Sequence, residues 1–193
     1  MTGEQEKIIK AFPTHLKNDV LSLLKKISLK SRHQISEPFK VNLNNEVLEI
    51  PYRIYFKEPT EENLTETELL ILYCLFTRHN DGFIRQQKIR MVLVAKENWI
   101  APFVVQLLGE YVIEILLEIE KHLSHNLLKI LAHFIKTNPD FYQLSRCRVI
   151  SYWNCYYRNK FNSPETYVGF QMFKKIDSFI EENGISIPKN SDY

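Results

Sequence analysis

Five glycines in 193 residues leave little room for tight turns, and that scarcity decides the fold class first. A β-sandwich or barrel draws on glycine for the positive φ that many of its turns need. A chain poor in glycine is expected to be helical, and the apolar spacing agrees. Leu16, Val20, Leu23, Leu24 and Ile27 recur at three-to-four spacing behind a Pro13-Thr14 start, which puts them on one helical face. The polar stretch 31–37 is expected to break that helix. From Leu64 onward the pattern stays helical. Thr65 and Thr67 are candidate caps for a helix through Thr77, and Asn80-Asp81-Gly82 is a turn before a helix to about Ala95. Further helices are expected to end near Leu108, to run from Glu110 to His122, from Ser124 to Lys136 and from Phe141 to Arg158, and to run from Ser163-Pro164-Glu165 to Gly184.

One segment changes period. Phe39, Val41 and Leu43 alternate with Lys40 and Asn42, and Leu48, Ile50, Tyr52, Ile54 and Phe56 alternate with Glu49, Pro51, Arg53 and Tyr55. Period two predicts strands. Asn44-Asn45 between the runs suits a two-residue hairpin turn, because asparagine tolerates positive φ. Pro51 limits pairing beyond Ile50, so the second run is expected to be bent or edge-like. A ribbon of two strands is marginal alone and must lie on helices.

The three cysteines form no disulfide framework, so buried thiols in a reducing, cytoplasmic setting are expected. The polar start 1–7 lacks the apolar run of a signal peptide. The richest apolar stretch, 99–119, is interrupted by Glu110, Glu114 and Glu118, which reads as buried helix and not as a membrane span. Net charge is +2 over the whole chain, but residues 124–163 hold six Lys/Arg against one Asp, a local +5.

The helices read as short antiparallel pairs whose second members open alike, at Gly82-Phe83-Ile84, Glu110-Tyr111-Val112 and Asp140-Phe141-Tyr142. The aromatic positions 83, 111 and 141 lie 28 and 30 residues apart, a period that two short helices and their turns would fill. The stretch from Asn80 to Arg90 resembles the turn and second helix of a HEAT repeat, with Asp81 in the turn, Ile84 beside Arg85, and Arg90 as the later basic residue. The resemblance extends over residues 64–160 and implies a short α-solenoid in which Asp81 and Arg85 are structural, members of a hydrogen-bonded ladder between repeats. The second and third pairs depart from the pattern, with Glu114 and Gln143 where an Arg would stand. The turn Arg78-His79-Asn80-Asp81-Gly82 also resembles one in bacterial proteins of unassigned activity.

Four constellations bear on function. Glu110, Glu114 and Glu118 are four apart and would share a helix face, with Arg85 and Lys88 on one side and Arg146 and Arg148 on the other. An ion-pair ladder setting register is the first reading, and acid–base or metal chemistry at Glu110 or Glu114 the second. His122 and His125, with Glu118 and His133 nearby, match no zinc spacing, and Ser124 as a cap would break the helix between the first two. His79 follows Arg78 at a helix C-terminus, where a cation favours the dipole. Arg146, Arg148, Tyr152, Tyr156 and Arg158 form a basic, aromatic segment that suits a buried core, a protein interface or nucleic acid. Cys147 and Cys155 are eight apart and would share a face.

No phosphate loop, nucleophile elbow or dinucleotide fingerprint occurs, and no cofactor is expected. The expected architecture is an N-terminal helix and hairpin over 1–63, a HEAT-like helical domain over 64–184 and a polar tail over 185–193. The expected role is a non-enzymatic interaction module. A protein partner comes first, nucleic acid bound through 124–163 is the alternative, and no membrane association is expected.

Overall fold

The structure, a computed structural model, describes residues 2–27 and 35–187. The break expected over 31–37 and the tail expected over 185–193 lie partly outside the described residues. Among those residues the chain is mainly α, with nine α-helices and one two-stranded antiparallel sheet. It divides into two compact units, Met1–Ile100 and Ala101–Tyr193, a division that falls inside the stretch 64–184.

The first unit opens with α1 (Gly3–Ile9), which the polar start did not suggest. Thr2 accepts a hydrogen bond from the Gln5 amide while the Gln5 side chain accepts one from the Thr2 amide. This capping box satisfies two amide donors at once, and Ile8 is the helix's buried anchor. A 3₁₀ turn (Thr14–Leu16) leads into α2 (Lys17–Lys26), which buries Val20, Leu23 and Leu24 as its spacing requires.

The hairpin forms as its alternation dictates. Strand β1 (Pro38–Leu43) pairs with β2 (Glu46–Pro51) in a register of Leu43 with Glu46 and Phe39 with Ile50. Asn44 and Asn45 take φ of 50° and 67°, the double left-handed turn that matches strand twist. Phe39, Val41 and Leu43 are buried while Lys40 and Asn42 are exposed. Pairing ends at Pro51, and only isolated bridges tie Ile54 to Ile35 and His79. The hairpin rests on α1, where the Glu49 amide donates to the Lys10 carbonyl at 2.9 Å.

Helix α3 (Glu66–Phe76) is capped by Thr65, in a box with Glu68. It buries Ile71, Leu72, Cys74, Leu75 and Phe76, more than one stripe, because α2 and α4 (Gly82–Val92) both pack on it. A further 3₁₀ turn (Asn98–Ile100) sets Trp99 edge-on to Phe12, with ring centres 5.9 Å apart.

In the second unit all eight residues of α5 (Ala101–Leu108) are buried. It meets α6 (Ile113–Lys121), α7 (His125–Thr137) and α8 (Pro139–Tyr152). Gly109 ends α5 where a β-carbon would lie 2.9 Å from the Ser145 carbonyl oxygen, so only glycine permits the chain to pass this close to α8. A 3₁₀ turn (Pro164–Thr166) leads to α9 (Val168–Glu182), which packs on α6, α7 and α8 through Met172, Phe173, Ile176, Phe179 and Ile180.

Two expectations need correction here. Helix α6 begins at Ile113, with Val112 as its extended N-cap, so Glu110 lies in the preceding turn and the stripe Glu110–Glu114–Glu118 is not one helix face. The three aromatic positions therefore do not open their helices alike: Phe83 and Phe141 lie inside the first turn and Tyr111 lies before it. The helix expected to run to Arg158 also changes. It passes from α8 into a single π-turn, Trp153–Tyr157, which inserts an extra residue and rotates the side chains beyond it about the helix axis.

Candidate functional site

The turn of the HEAT-like resemblance is a buried polar knot in the first unit. Asp81 is the N-cap of α4 and accepts from the Phe83 amide at 2.8 Å. Arg85, fully buried, donates from one guanidinium nitrogen to the carbonyls of His79 and Asn80, both at 2.9 Å. It thereby satisfies two carbonyls of the turn that joins α3 to α4. Arg78, also fully buried, donates to the Tyr52 carbonyl at 3.1 Å and ties the same turn to the chain leaving the hairpin. Lys88, expected to face the acidic stripe, instead pairs with Glu58 and Glu61, both at 2.8 Å, and lies over the Tyr73 ring.

His79 is not the dipole-stabilising cation expected from its position. Its Nδ1 accepts the Asp81 amide at 3.0 Å, which leaves the proton on Nε2 to be donated to the Phe56 carbonyl at 3.2 Å. Both ring nitrogens are engaged in the neutral tautomer, and the ring stacks on Phe76. Burial pushes its pKa below 6.5, and Arg85 adds to that, against the Phe56 carbonyl, Asp81 and Glu58, which favour the charged form. A histidine with a depressed folded pKa binds fewer protons folded than unfolded. Its stabilisation is complete above about pH 6.5 and declines as the pH falls from there toward the lowered value. Urea denaturation of wild type and His79→Phe between neutral pH and pH 5 checks this, with the variant expected to lose less of its midpoint on acidification.

The acidic residues of the second unit are dispersed. Glu110 is buried and accepts from the Tyr111 amide at 2.9 Å. Glu114 is exposed, and Glu118 is buried with Lys121 3.7 Å away. Ser124 caps α7 through the Leu127 amide, so His122 and His125 are separated as expected. His122 bonds the Glu118 carbonyl and His125 packs edge-on to Phe179. Among the described residues no three His, Cys, Asp or Glu side chains are grouped to hold a metal ion, and no helix is long and apolar enough to cross a membrane.

The basic, aromatic segment separates into two parts. Arg146 turns toward α9, where it pairs with Asp177 at 2.6 Å and lies over the rings of Tyr142 and Phe173. The Tyr142 hydroxyl donates to the same carboxylate at 3.0 Å, and burial and the Asp177 charge raise its pKa. Arg146 is thus a packing residue. Arg146→Ala is expected to cost about 2 kcal/mol, the scale of charged hydrogen bonds lost from a half-buried pair, measured by thermal unfolding.

The other part faces solvent. Arg148, Tyr152 and Tyr156 are spaced by four along α8 and the π-turn. The Tyr152 ring lies 6.2 Å from Tyr156 on one side and 5.9 Å from Tyr111 on the other. Tyr156 is 68% exposed and Tyr111 45%, so three adjacent rings form an open ladder. The π-turn builds it. Trp153 turns inward and donates to the Phe161 carbonyl at 3.0 Å. Tyr157 turns onto the start of α6, where its hydroxyl donates to the Tyr111 carbonyl at 2.6 Å and accepts the Ile113 amide. That bond replaces the side-chain cap that Val112 cannot provide. Burial, with nearby Glu114 and Glu110, raises the Tyr157 pKa against the Ile113 bond. Exposed Arg158 lies over Trp153 and Lys160 over Phe161.

Cys74 is buried as expected, but Cys147 and Cys155 are exposed. Cys155 lies within the π-turn, which breaks the regular spacing that would have aligned the two. Sequence reasoning singled out Tyr111 as a repeat marker and missed it as a ladder member, since the ring arrives from another helix start. It also missed a groove of about 860 Å³ beside α9, floored by Leu128, Phe170 and Phe179 and rimmed by Lys174, Glu165 and Glu182. Its rim charges are of both signs, so it has no single-sign field to select a ligand.

The chain matches no protein-family model, no curated protein and no solved structure.

Proposed function

We propose that this chain is a non-enzymatic protein-interaction module, built on HEAT-like helix pairs, that binds its partner through the tyrosine and arginine face of the second unit. The observation that carries this reading is the open ladder Tyr111–Tyr152–Tyr156, with exposed Arg158 two residues further along the chain. Tyrosine and arginine supply broad, stiff contact area and are enriched where proteins bind one another. The ladder is fixed from beneath by the Tyr157 and Trp153 hydrogen bonds, so a partner would meet a preorganised surface. The Asp81 cap and these Arg85 bonds lie within the α3–α4 turn itself, a local structural role and not the ladder between repeats that the resemblance implies. In the second unit α9 reaches α6 as well as α7 and α8, a closer arrangement than a simple stack of repeats. The exposed free thiols favour a reducing compartment, with the cytoplasm as the expected place.

Nucleic acid is the second reading, and one observation favours it: no Asp or Glu occurs between Phe141 and Pro164, against four Lys/Arg. The presence of Glu114 near Tyr157 weighs against a polyanion lying along the whole ladder. Affinity capture from a native lysate, with and without nuclease, separates the readings. Wild-type protein is expected to retain a nuclease-resistant protein partner that the double substitution Tyr156→Ala, Arg158→Glu releases. Recovery of nucleic acid alone, released by moderate salt, would overturn the protein reading.

A further inference from the structure

We propose that the exposed face of α9 pairs with the same face of a second copy of this chain, the two helices crossing antiparallel at Ser178. The pairing uses no residue of the tyrosine face and does not rest on the partner-binding reading above.

Charge complementarity carries it. Along α9 the exposed side chains are Gln171, Lys174, Lys175, Ser178, Glu181 and Glu182, and the other face packs inward. Helix geometry fixes where they stand. At about 1.5 Å and about 100° per residue, Ser178 lies at the middle of the face. The lysine pair and the glutamate pair lie equally far from it, about 4.5 to 6 Å along the axis in opposite directions. The face thus carries two cations, a small hydroxyl and two anions, an order that becomes its own complement when reversed. A two-fold axis beside Ser178 sets Lys174 and Lys175 of each copy level with Glu181 and Glu182 of the other, the self-complementary contact that a symmetric dimer needs. The short serine at the centre lets the two helices approach.

The charges are available for this. Lys174, Glu181 and Glu182 form no ion pair among the described residues, and Glu165 feels the Lys174 charge only from further away. Lys175 meets Glu120, and its ammonium has donors to share. The charges also run against the helix's own dipole. Cations favour a helix C-terminus, yet the last turn of α9 holds Glu181 and Glu182 and no basic residue. A second copy laid antiparallel brings the missing cations there. Lys174, Lys175, Ser178 and Glu182 also line the groove floored by Leu128, Phe170 and Phe179, so apolar surface borders the charged contact. The overlap spans about 12 Å of helix, which makes the pair a weak, concentration-dependent one.

Sedimentation velocity of the full chain, from micromolar to millimolar concentration, tests the proposal. The average mass is expected to climb toward twice that of the chain and to fall back as salt screens the charges. Lys174→Glu with Lys175→Glu makes the face wholly acidic, and Glu181→Lys with Glu182→Lys makes it wholly basic. Each double variant is expected to self-associate at least about tenfold more weakly than wild type. An equimolar mixture of the two is expected to associate at least as tightly as wild type. The replaced side chains are exposed, and unchanged circular dichroism confirms folding. A wild type that stays monomeric throughout, double variants that associate as wild type does, or folded double variants that stay apart when mixed would each overturn the proposal.

Discussion

Arg85→Met is expected to destabilise the first unit by about 3 kcal/mol, the cost of two charged hydrogen bonds from a fully buried guanidinium, one to a buried and one to a partly buried carbonyl. Methionine keeps much of the volume and leaves the His79 and Asn80 carbonyls without the guanidinium donor they now share. The neighbouring Arg90 is exposed, and Arg90→Met should change stability by no more than about 0.5 kcal/mol. Urea denaturation of the pair checks the contrast. Equal, small effects would mean that the buried guanidinium is not what closes the α3–α4 turn, and the structural role implied by the HEAT resemblance would go with it.

Glu68→Gln is expected to remove about 3 kcal/mol at neutral pH and, with it, part of the protein's acid sensitivity. Burial alone would raise this carboxyl. The Lys26 ammonium at 2.7 Å, the Ser22 hydroxyl and the Thr65 amide outweigh it and hold the pKa at about 2, from 4.5. That displacement corresponds to about 3 kcal/mol of preference for the ionised, folded form. Because the folded pKa is the lower one, the unfolded chain takes up the proton first as the pH drops. The stabilisation is present above about 4.5 and lost progressively toward 2. Wild type and variant should converge in stability over that window. A constant gap between them would show that the loss came from packing or capping and not from the charge.

The sequence was most legible where one local rule acts alone. The Asn44-Asn45 turn needed only positive φ, and Thr65 and Ser124 needed only a hydroxyl ahead of an apolar run, so the hairpin and both caps follow from residue type. Legibility failed where a distant group decides. Nothing near Val112 says that α6 starts at Ile113, because its cap is the Tyr157 hydroxyl, 44 residues away. The same contact goes with the π-turn, which no period in the sequence announces. The candidate face was half visible: the sequence grouped Tyr152, Tyr156 and Arg158, and the structure sets the first two rings side by side and leaves Tyr156 and Arg158 exposed. Arg146 does not belong to it, since its partner Asp177 lies 31 residues on in α9. Helix α1 was missed for the opposite reason, its Thr2–Gln5 box being local but its apolar content too small to show a period.

The most direct test of the central claim places a photo-crosslinking phenylalanine analogue at Tyr156 or, as a control, at Lys174 in the α9 groove. Irradiation in native lysate at Tyr156 should give one discrete protein adduct that survives nuclease and is competed away by unlabelled wild type but not by Arg158→Glu protein. An adduct from Lys174 alone, or one from Tyr156 that nuclease abolishes, would contradict the account.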